Sequence, residues 1–270
     1  MVDEQQLLEV VIDAAANAGE YLTQNAFTLA NVEWKDSDNP VTYLDRQAEI
    51  MIRNALESRL EYSINLVGEE QPDTVNGAII TGYIDPIDGT KSYLSKTFRS
   101  TVSIGVSERT DHQEKLIMGV VYDFMRDIMY VGHRDTGFIR FRGEQHSFPQ
   151  RLEGPPKISV GDKSIYHVQK KVSEIPDQIK ITKPDGSIAL GLVGVVNGNY
   201  DAMVAHSAKG NSWDVAGGIC ILESQGINVT DKYGRPIDLQ RPNKGLIAIR
   251  PEYEEIIRPL VELPNPERML

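Results

Sequence analysis

The sequence predicts an α/β protein, in which helices and strands alternate along the chain. Three observations lead to this prediction. Apolar residues recur at helical spacing from Leu7 to Leu22, which indicates an amphipathic helix at the start. Residues 78–85 form an apolar run that is typical of a buried strand. From Ile188 onward, helical and strand patterns alternate again up to the end of the 270 residues.

Between the opening helix and the strand at 78–85, the sequence predicts one further helix and one short strand. Residues 35–40 are polar and end in a proline, and we expect an exposed loop there. Thr42 and Asp45 fit a capping pattern, so we place the start of the second helix beside them. The short strand is expected at 64–67.

The middle of the chain is predicted to be a series of strands. Three strand patterns occur within residues 100–132, with turn signals between them, and residues 136–143 add a hairpin. This order is typical of an antiparallel meander. Residues 144–184 are polar and interrupted by prolines, and only short strands are expected there, at 157–160 and 179–182.

The last third is predicted to return to alternating helices and strands. A helix from Ile188 should end at residues 197–199, and a strand at 201–205 follows it. Ser212 is expected to cap the next helix, which Gly226 ends. A strand at 246–249 and a helix from residue 251 complete the chain. We expect two halves, 1–150 with α+β character and 151–270 with α/β character, packed as one compact unit.

Composition and charge exclude several classes of protein. The net charge of −11 argues against binding to a nucleic-acid polymer or to an anionic membrane surface. No apolar stretch approaches the roughly 20 residues that a bilayer-spanning helix needs. Cys220 is the single cysteine, which excludes an intrachain disulfide, and residues 1–6 are acidic and polar, unlike a secretory signal. We therefore expect a cytoplasmic protein.

The strongest functional signal is the segment Asp-Pro-Ile-Asp-Gly-Thr at 85–90. We expect Pro86 to end the strand and turn the chain. Asp85 and Asp88 can then face one small volume, where they repel unless a hard divalent cation lies between them. Gly89 and Thr90 stand where a helix can begin, and backbone N–H groups at a helix start bind phosphate. The alternative is an ordinary turn with solvated acids.

Three further acids stand at the ends of predicted helices or strands, among small or apolar neighbours. They are Asp45, Glu70 and Asp214. Taken singly, each is explained as a capping or surface acid. Taken together, they indicate a metal site, because charge among such neighbours is unfavourable unless it is paired or metal-bound. An oxygen-rich donor set without histidine or cysteine favours Mg²⁺ or Mn²⁺ over Zn²⁺.

Three motifs closely resemble those of the inositol monophosphatase superfamily of metal-dependent, lithium-sensitive phosphatases. They are Gly-Glu-Glu at 68–70, the segment at 85–90, and Trp-Asp-Val-Ala-Gly at 213–217. The stretches at 40–45 and 186–190 match further blocks of the family in the same order. The resemblance implies a layered αβαβα sandwich, commonly a homodimer, that hydrolyses a small phosphorylated substrate.

The resemblance also implies a role for each matching residue. The implied metal ligands are Glu70, Asp85, the carbonyl oxygen of Ile87, Asp88 and Asp214. They would hold two or three Mg²⁺ ions per active site, or Mn²⁺ in their place.

The implied catalytic residues are those that would activate the attacking water. They are Glu70, Thr90 and Asp45. The implied phosphate and substrate contacts are Gly89, Thr90, Asp214 and Lys209. Lys35 matches the lysine that the family carries near its metals on a mobile loop.

The substrate is the point on which the motifs diverge. Ser207 stands where inositol-specific members carry an acid that contacts substrate hydroxyls, which should weaken polyol recognition. Residues 39–42 and Lys91 resemble the branch that hydrolyses 3′-phosphoadenosine 5′-phosphate, whereas residues 186–190 resemble inositol and sugar phosphatases. We expect a magnesium-dependent phosphomonoesterase for inositol monophosphate or a related polyol or sugar phosphate. The alternatives are a 3′(2′),5′-bisphosphate nucleotidase and a catalytically silent, metal- or ligand-binding regulator.

Overall fold

Two β-sheets are stacked between three layers of helices in the computed structural model. The described residues are 2–28, 32–36, 39–111, 113–134, 136–151, 153–173, 179–183, 186–206, 210–240 and 244–265. Among them the helices are α1 (Glu4–Gln24), α2 (Tyr43–Arg59), α3 (Thr90–Leu94), α4 (Asp162–Val172), α5 (Ile188–Val196), α6 (Ser212–Glu223) and α7 (Glu254–Val261). The first nine strands are β1 (Val32–Asp36), β2 (Asn39–Thr42), β3 (Asn65–Gly68), β4 (Ile80–Asp88), β5 (Thr101–Arg109), β6 (Glu114–Asp123), β7 (Ile128–His133), β8 (Thr136–Phe141) and β9 (Glu144–His146). The later strands are β10 (Lys157–Val160), β11 (Lys180–Thr182), β12 (Ala202–Ala205), β13 (Val229–Thr230) and β14 (Leu246–Ile249).

The larger sheet has seven strands in the order β3-β4-β5-β6-β7-β8-β9. Strand β3 runs parallel to β4, and every later pair in this sheet is antiparallel. Helices α1 and α2 cover one face with apolar side chains spaced at helical intervals, including Leu7, Leu22 and Ile52, all fully buried. The meander that the sequence predicted is therefore confirmed, and one of its two faces is covered by the first two helices.

Helix α6 lies directly on the opposite face of the larger sheet, because glycines in the sheet leave room for its backbone. A Cβ atom on Gly105 would lie 2.4 Å from the Cβ of Ala216, and one on Gly119 would lie 2.4 Å from the carbonyl oxygen of Gly217. Such distances are far below van der Waals contact, so side chains at these positions would push the helix away from the sheet. This close packing brings the first turn of α6 to the ends of β3 and β4.

The smaller sheet has five strands in the order β11-β10-β12-β14-β13. Helices α5 and α6 pack against each other between the two sheets, and α4 and α7 cover the outer face of the smaller sheet. The five layers are thus α1/α2, larger sheet, α5/α6, smaller sheet and α4/α7. The layered αβαβα arrangement is confirmed.

Several local predictions differ from the structure. Of residues 35–40, expected to form a loop, Lys35 and Asp36 lie in β1 and Asn39 and Pro40 in β2, while 37 and 38 lie outside the described residues. Pro40 is tolerated because this two-stranded sheet has open edges. Pro86 does not end its strand, because β4 continues to Asp88. Proline has no N–H to donate to β5, and the pairing with β5 accommodates it by a register shift between Asp85 and Asp88. Asn211, not Ser212, is the N-cap of α6.

Helix α4 was missed, although its sequence carries a helical signal. Ile165, Val168 and Val172 recur at helical spacing, and Val168 and Val172 are buried in the outer layer.

The larger sheet ends at His146 and the smaller one begins at Lys157. The division into halves at residue 150 stays a prediction. Within the described part of the chain, no helix combines the length and apolar character that crossing a bilayer requires.

Candidate active site

The acidic side chains of the site come from the ends of two strands and the first turn of a helix. In the parallel pair β3–β4, Gly68 lies opposite Ile84, and the N–H of Glu69 donates to the carbonyl oxygen of Ile84 at 3.2 Å. Glu69 therefore follows β3 in register with Asp85 of β4. Because residues in register on neighbouring parallel strands point to the same face, both side chains point toward α6. Asp214 is the third residue of α6 and reaches the same place.

Glu69, Asp85 and Asp214 form a compact acidic group. One carboxylate oxygen from each residue lies within 4.8 Å of the other two. Burial, followed by repulsion from Glu69, Asp88 and Asp214, raises the pKa of Asp85 well above its usual range. Burial and repulsion from Asp88 raise the pKa of Asp214 to about 7. Without a cation, this group is held in an electrostatically unfavourable arrangement.

Glu70 is not one of the three acids of this group, and its carboxylate is paired with a lysine. Its carboxylate accepts a hydrogen bond from Lys35 Nζ at 2.6 Å, and Lys35 also contacts Glu69 at 3.1 Å. Burial raises the pKa of Glu70 to about 7 despite the neighbouring lysine. The sequence assigned the metal-binding role of the Gly-Glu-Glu motif to Glu70, but the structure brings Glu69 to Asp85 and Asp214. The register of β3 against β4 distinguishes Glu69 from Glu70, and this register is a property of the folded sheet that the motif alone does not carry.

Asp88 lies beside the acidic group and is tied to the start of α5. Its Oδ2 atom accepts hydrogen bonds from Ser187 Oγ and from the N–H of Ala189, both at 2.6 Å. Burial raises the pKa of Asp88 to about 6, although these two donors favour the charged form. Asp88 is therefore oriented by α5, next to the three acids that lie closest together.

Asp45 and Thr90 form a buried pair on the other side of the β4 end. Asp45 completes the capping box of α2 by accepting a hydrogen bond from the N–H of Thr42 at 2.8 Å. Its second oxygen lies 3.1 Å from Thr90 Oγ1, which is also 3.1 Å from the carbonyl oxygen of Ile87. Burial raises the pKa of Asp45 to about 6. The capping role and the link to Thr90 are thus both present.

Gly89 allows the sharp turn between β4 and the short helix α3. Its φ of +91° lies in the left-handed region, and a Cβ atom there would lie 3.0 Å from the carbonyl oxygen of Arg99. Thr90 is the first residue of α3. The predicted substrate contact Lys209, together with Ser207, lies outside the described residues.

The residues that the structure brings together fit a hard divalent cation. All donors in the group are carboxylate oxygens, which is the chemistry that Mg²⁺ and Mn²⁺ prefer. Burial and repulsion from neighbouring acids raise the pKa values of Asp85 and Asp214, and a bound cation would favour the charged form of both carboxyls. The carbonyl oxygen of Ile87 lies at the same end of β4 and offers a further oxygen.

Comparison with known proteins agrees with this site. A family model described as the inositol monophosphatase family matches residues 3–264. The chain belongs to the inositol monophosphatase family. Its members depend on metal ions, and the acidic group described above is where this chain could hold one.

The family relatives are enzymes, and they include more than one substrate type. "Inositol monophosphatase 3" of Solanum lycopersicum is 28% identical over 245 residues, covering 87% of this chain and 89% of the relative. "3'(2'),5'-bisphosphate nucleotidase CysQ" of Escherichia coli O6:H1 is 26% identical over 243 residues, covering 86% of this chain and 93% of the relative. The "extragenic suppressor protein suhB" of Bartonella henselae has the same fold, with a TM-score of 0.79 at 22% identity over 95% of this chain and 98% of its own. This inositol monophosphatase family member is a phosphoric monoester hydrolase.

Proposed function

We propose that this protein is a magnesium-dependent phosphomonoesterase that hydrolyses inositol monophosphate or a related small polyol or sugar phosphate. The observation that carries this proposal is the acidic group of Glu69, Asp85 and Asp214 next to the Asp45–Thr90 pair. The group supplies oxygen ligands for divalent cations, and the pair supplies a hydroxyl and a carboxylate for proton transfer. Asp85, Asp45 and Thr90 are buried, whereas Glu69 and Asp214 are partly exposed, so the group is reachable from solvent on one side.

In this proposal the acidic group holds Mg²⁺, with Mn²⁺ as the possible replacement and two or three ions per active site. Glu69 takes the position that the sequence assigned to Glu70, alongside Asp85 and the carbonyl oxygen of Ile87. Asp85, Asp88 and Asp214 form the second ligand set. When bound, the metal stabilises negative charge on the transferred phosphoryl group and on the leaving oxygen and lowers the pKa of water.

Thr90 and Asp45 are proposed to accept the proton of the attacking water. The Thr90 hydroxyl donates to the Asp45 carboxylate, so that a lone pair on Thr90 Oγ1 is available to the water. The N–H groups of Gly89 and Thr90 are the proposed phosphate donors, at the turn that the positive φ of Gly89 makes possible. Asp214 is proposed to contact both metal and substrate, and the role of Lys209 stays a prediction. The sequence also predicted a catalytic role for Glu70; because its carboxylate pairs with Lys35, we propose that it contributes less to turnover than Thr90 and Asp45.

A 3′(2′),5′-bisphosphate nucleotidase is the second candidate, and the similarity to the Escherichia coli nucleotidase over most of both chains favours it. A phosphate-release assay with inositol 1-phosphate, fructose 1,6-bisphosphate and 3′-phosphoadenosine 5′-phosphate distinguishes the candidates. We expect the highest kcat/KM for inositol 1-phosphate or the sugar phosphate. Turnover of the nucleotide alone would reverse the order, and metal binding without any phosphate release would support the silent regulator.

The predicted homodimer and the predicted cytoplasmic location stay predictions as well. Light scattering on the purified protein measures the first directly, since a 30.1 kDa chain should give about twice that mass.

A further inference from the structure

The turn that follows Glu69 is fastened to α2 by one buried carboxylate that has no part in the acidic group. Glu49 of α2 is fully buried, and its Oε2 atom accepts a hydrogen bond from the N–H of Glu70 at 2.6 Å. Its Oε1 atom accepts a second one from the N–H of Gln71 at 3.3 Å. These are the two amides that come directly after Glu69.

Arg53, one turn further along α2, completes this attachment. Its Nε atom donates to Glu49 Oε1 at 2.7 Å, and its Nη2 atom lies 3.4 Å from the carbonyl oxygen of Gln71. The Nη1 atom lies 3.5 Å from Thr74 Oγ1. Glu49 and Arg53 together therefore hold both the N–H groups and a carbonyl oxygen of the turn at 70–74.

Glu49 lies so close to Gly68, the last residue of β3, that Gly68 can carry no side chain larger than a hydrogen atom. A Cβ atom on Gly68 would lie 2.1 Å from Glu49 Oε1 and 2.8 Å from Arg53 Nη2. Gly68 is in register with Ile84 and faces the same side of the sheet as Ile84, whereas Glu69 is in register with Asp85 and faces the other side. The backbone is thus held from the α2 side while the Glu69 side chain projects to the α6 side.

We propose that Glu49 is a positioning residue for the metal site, which fixes the turn after Glu69 so that the Glu69 carboxylate is held beside Asp85 and Asp214 before metal binds. This inference rests on the proposed function. Glu49 lies four residues after Asp45, so the two acids share one face of α2. Helix α2 therefore orients the Thr90 hydroxyl through Asp45 and the Glu69 carboxylate through Glu49.

The chemistry of Glu49 makes glutamine an informative replacement. A carboxylate offers acceptors at both oxygens, whereas glutamine has one acceptor and an NH₂ group. In Glu49→Gln, the NH₂ group replaces one of the two carboxylate oxygens. It then faces either the N–H of Glu70 or the donors of Gln71 and Arg53, so in both orientations at least one donor loses its acceptor. Loss of an outer hydrogen-bonding partner at a metal site typically costs about 10- to 100-fold in metal affinity.

A second buried acid–arginine pair provides a matched control for general destabilisation. Asp201, 2% exposed, accepts hydrogen bonds from Arg151 and from the N–H of Lys157, the latter at 2.8 Å. Like Glu49, it accepts hydrogen bonds from one arginine and from the backbone, through one N–H group where Glu49 has two, but it precedes β12 in the smaller sheet. Asp201→Asn should destabilise the fold without changing the turn after Glu69.

The experiment measures Mg²⁺ binding by calorimetry, without substrate, in the parent, Glu49→Gln and Asp201→Asn. Amide hydrogen exchange of the peptide that covers 69–74 is followed in the metal-free proteins. We expect about 10- to 100-fold weaker Mg²⁺ binding and faster exchange in Glu49→Gln, with parent-like values for both in Asp201→Asn. A Glu49→Gln protein that binds Mg²⁺ within about threefold of the parent, or equal weakening in both variants, would overturn the proposal. A parent that binds no Mg²⁺ would contradict the proposed function instead.

A steric variant keeps the proposal testable if Glu49→Gln does not fold. Gly68→Ala retains every charge but places a methyl group where the Glu49 carboxylate lies. It should displace that carboxylate and weaken Mg²⁺ binding by a similar factor. Parent-like Mg²⁺ affinity in Gly68→Ala, with faster exchange at 69–74, would show that the attachment does not control the metal site.

Discussion

Replacing Glu69 and Glu70 by glutamine, one at a time, distinguishes the two acids of the Gly-Glu-Glu motif. Glu69 belongs to the acidic group with Asp85 and Asp214, whereas Glu70 is paired with Lys35 at 2.6 Å. We expect Glu69→Gln to lower turnover by about 100- to 1000-fold, because it removes one preorganised charge from the place where the phosphoryl charge must be stabilised. We expect Glu70→Gln to lower turnover by less than about tenfold, because it leaves the acidic group complete.

The distances in the acidic group give the size of a second effect, on the metal-free protein. Two unit charges 4.8 Å apart repel by about 3.5 kcal/mol at an effective dielectric constant of about 20. Glu69→Gln removes two of the three repulsive pairs, but it also removes the attraction of Lys35 at 3.1 Å, and partial protonation of Asp85 and Asp214 already relieves much of the repulsion. We therefore expect a gain in unfolding free energy of about 1–2 kcal/mol, which raises Tm by roughly 2–8 °C in a chain of this size.

The assay combines phosphate release over a range of Mg²⁺ concentrations with thermal melts in the presence of a chelator. Glu69→Gln should need more Mg²⁺ for half-maximal rate, turn over far more slowly, and melt at a higher temperature without metal. The reasoning would be refuted by a Glu70→Gln variant with the larger loss of turnover and of Mg²⁺ affinity. It would equally be refuted by a Glu69→Gln variant with parent-like Mg²⁺ dependence.

Three further predictions follow from the same geometry. Asp85→Asn should lower turnover by about 100-fold or more at low millimolar Mg²⁺ without lowering metal-free stability, and a near-normal rate in phosphate release would contradict its role as a shared ligand. Thr90→Val should slow turnover by about 100-fold or more while calorimetric Mg²⁺ affinity stays within a few-fold, since Thr90 is assigned to proton transfer rather than ligation. Burial raises the pKa of Asp88 to about 6 and that of Asp214 to about 7, both above the value in the unfolded chain. The protonated carboxyls therefore contribute stability to the metal-free fold that is fully present below about pH 4 and is lost as the pH rises to about 7. The rise in Tm on adding Mg²⁺ should therefore be larger at about pH 8 than at about pH 5, and an equal rise at both would contradict the assigned titration.

Much of the fold could be predicted because its signals are local. The capping box of Thr42 and Asp45 placed the start of α2, and alternation with turn signals placed the meander from β5 to β8. Pro86 misled the prediction, because the bulge that accommodates it depends on pairing with β5 rather than on the residues beside it. The pairing of β1 with β2 was missed for a similar reason: among the described residues these two strands pair only with each other, and polar residues dominate both.

The acids of the site were predicted to the extent that they belong to short motifs. Asp85, Asp88 and Asp214 were proposed as site residues because each stands where a strand ends or a helix begins, among small or apolar neighbours. The choice between Glu69 and Glu70 was not accessible in this way. Adjacent residues of an extended chain point to opposite faces, so one step of register reverses which acid meets Asp85.

The register at this point gives the two glutamates different surroundings. On the α6 side, Glu69 has the register of Asp85 and shares the acidic group with Asp214. On the α2 side, the backbone after Glu69 is held by Glu49. The carboxylate of Glu70 pairs with Lys35 of β1, which also contacts Glu69 but lies closer to Glu70. A buried acidic group is unfavourable without a cation, so its geometry must be maintained by the surrounding backbone rather than by the acids themselves. Helix α2 provides that support, because it holds the turn after Glu69 and the hydroxyl of Thr90 from one face.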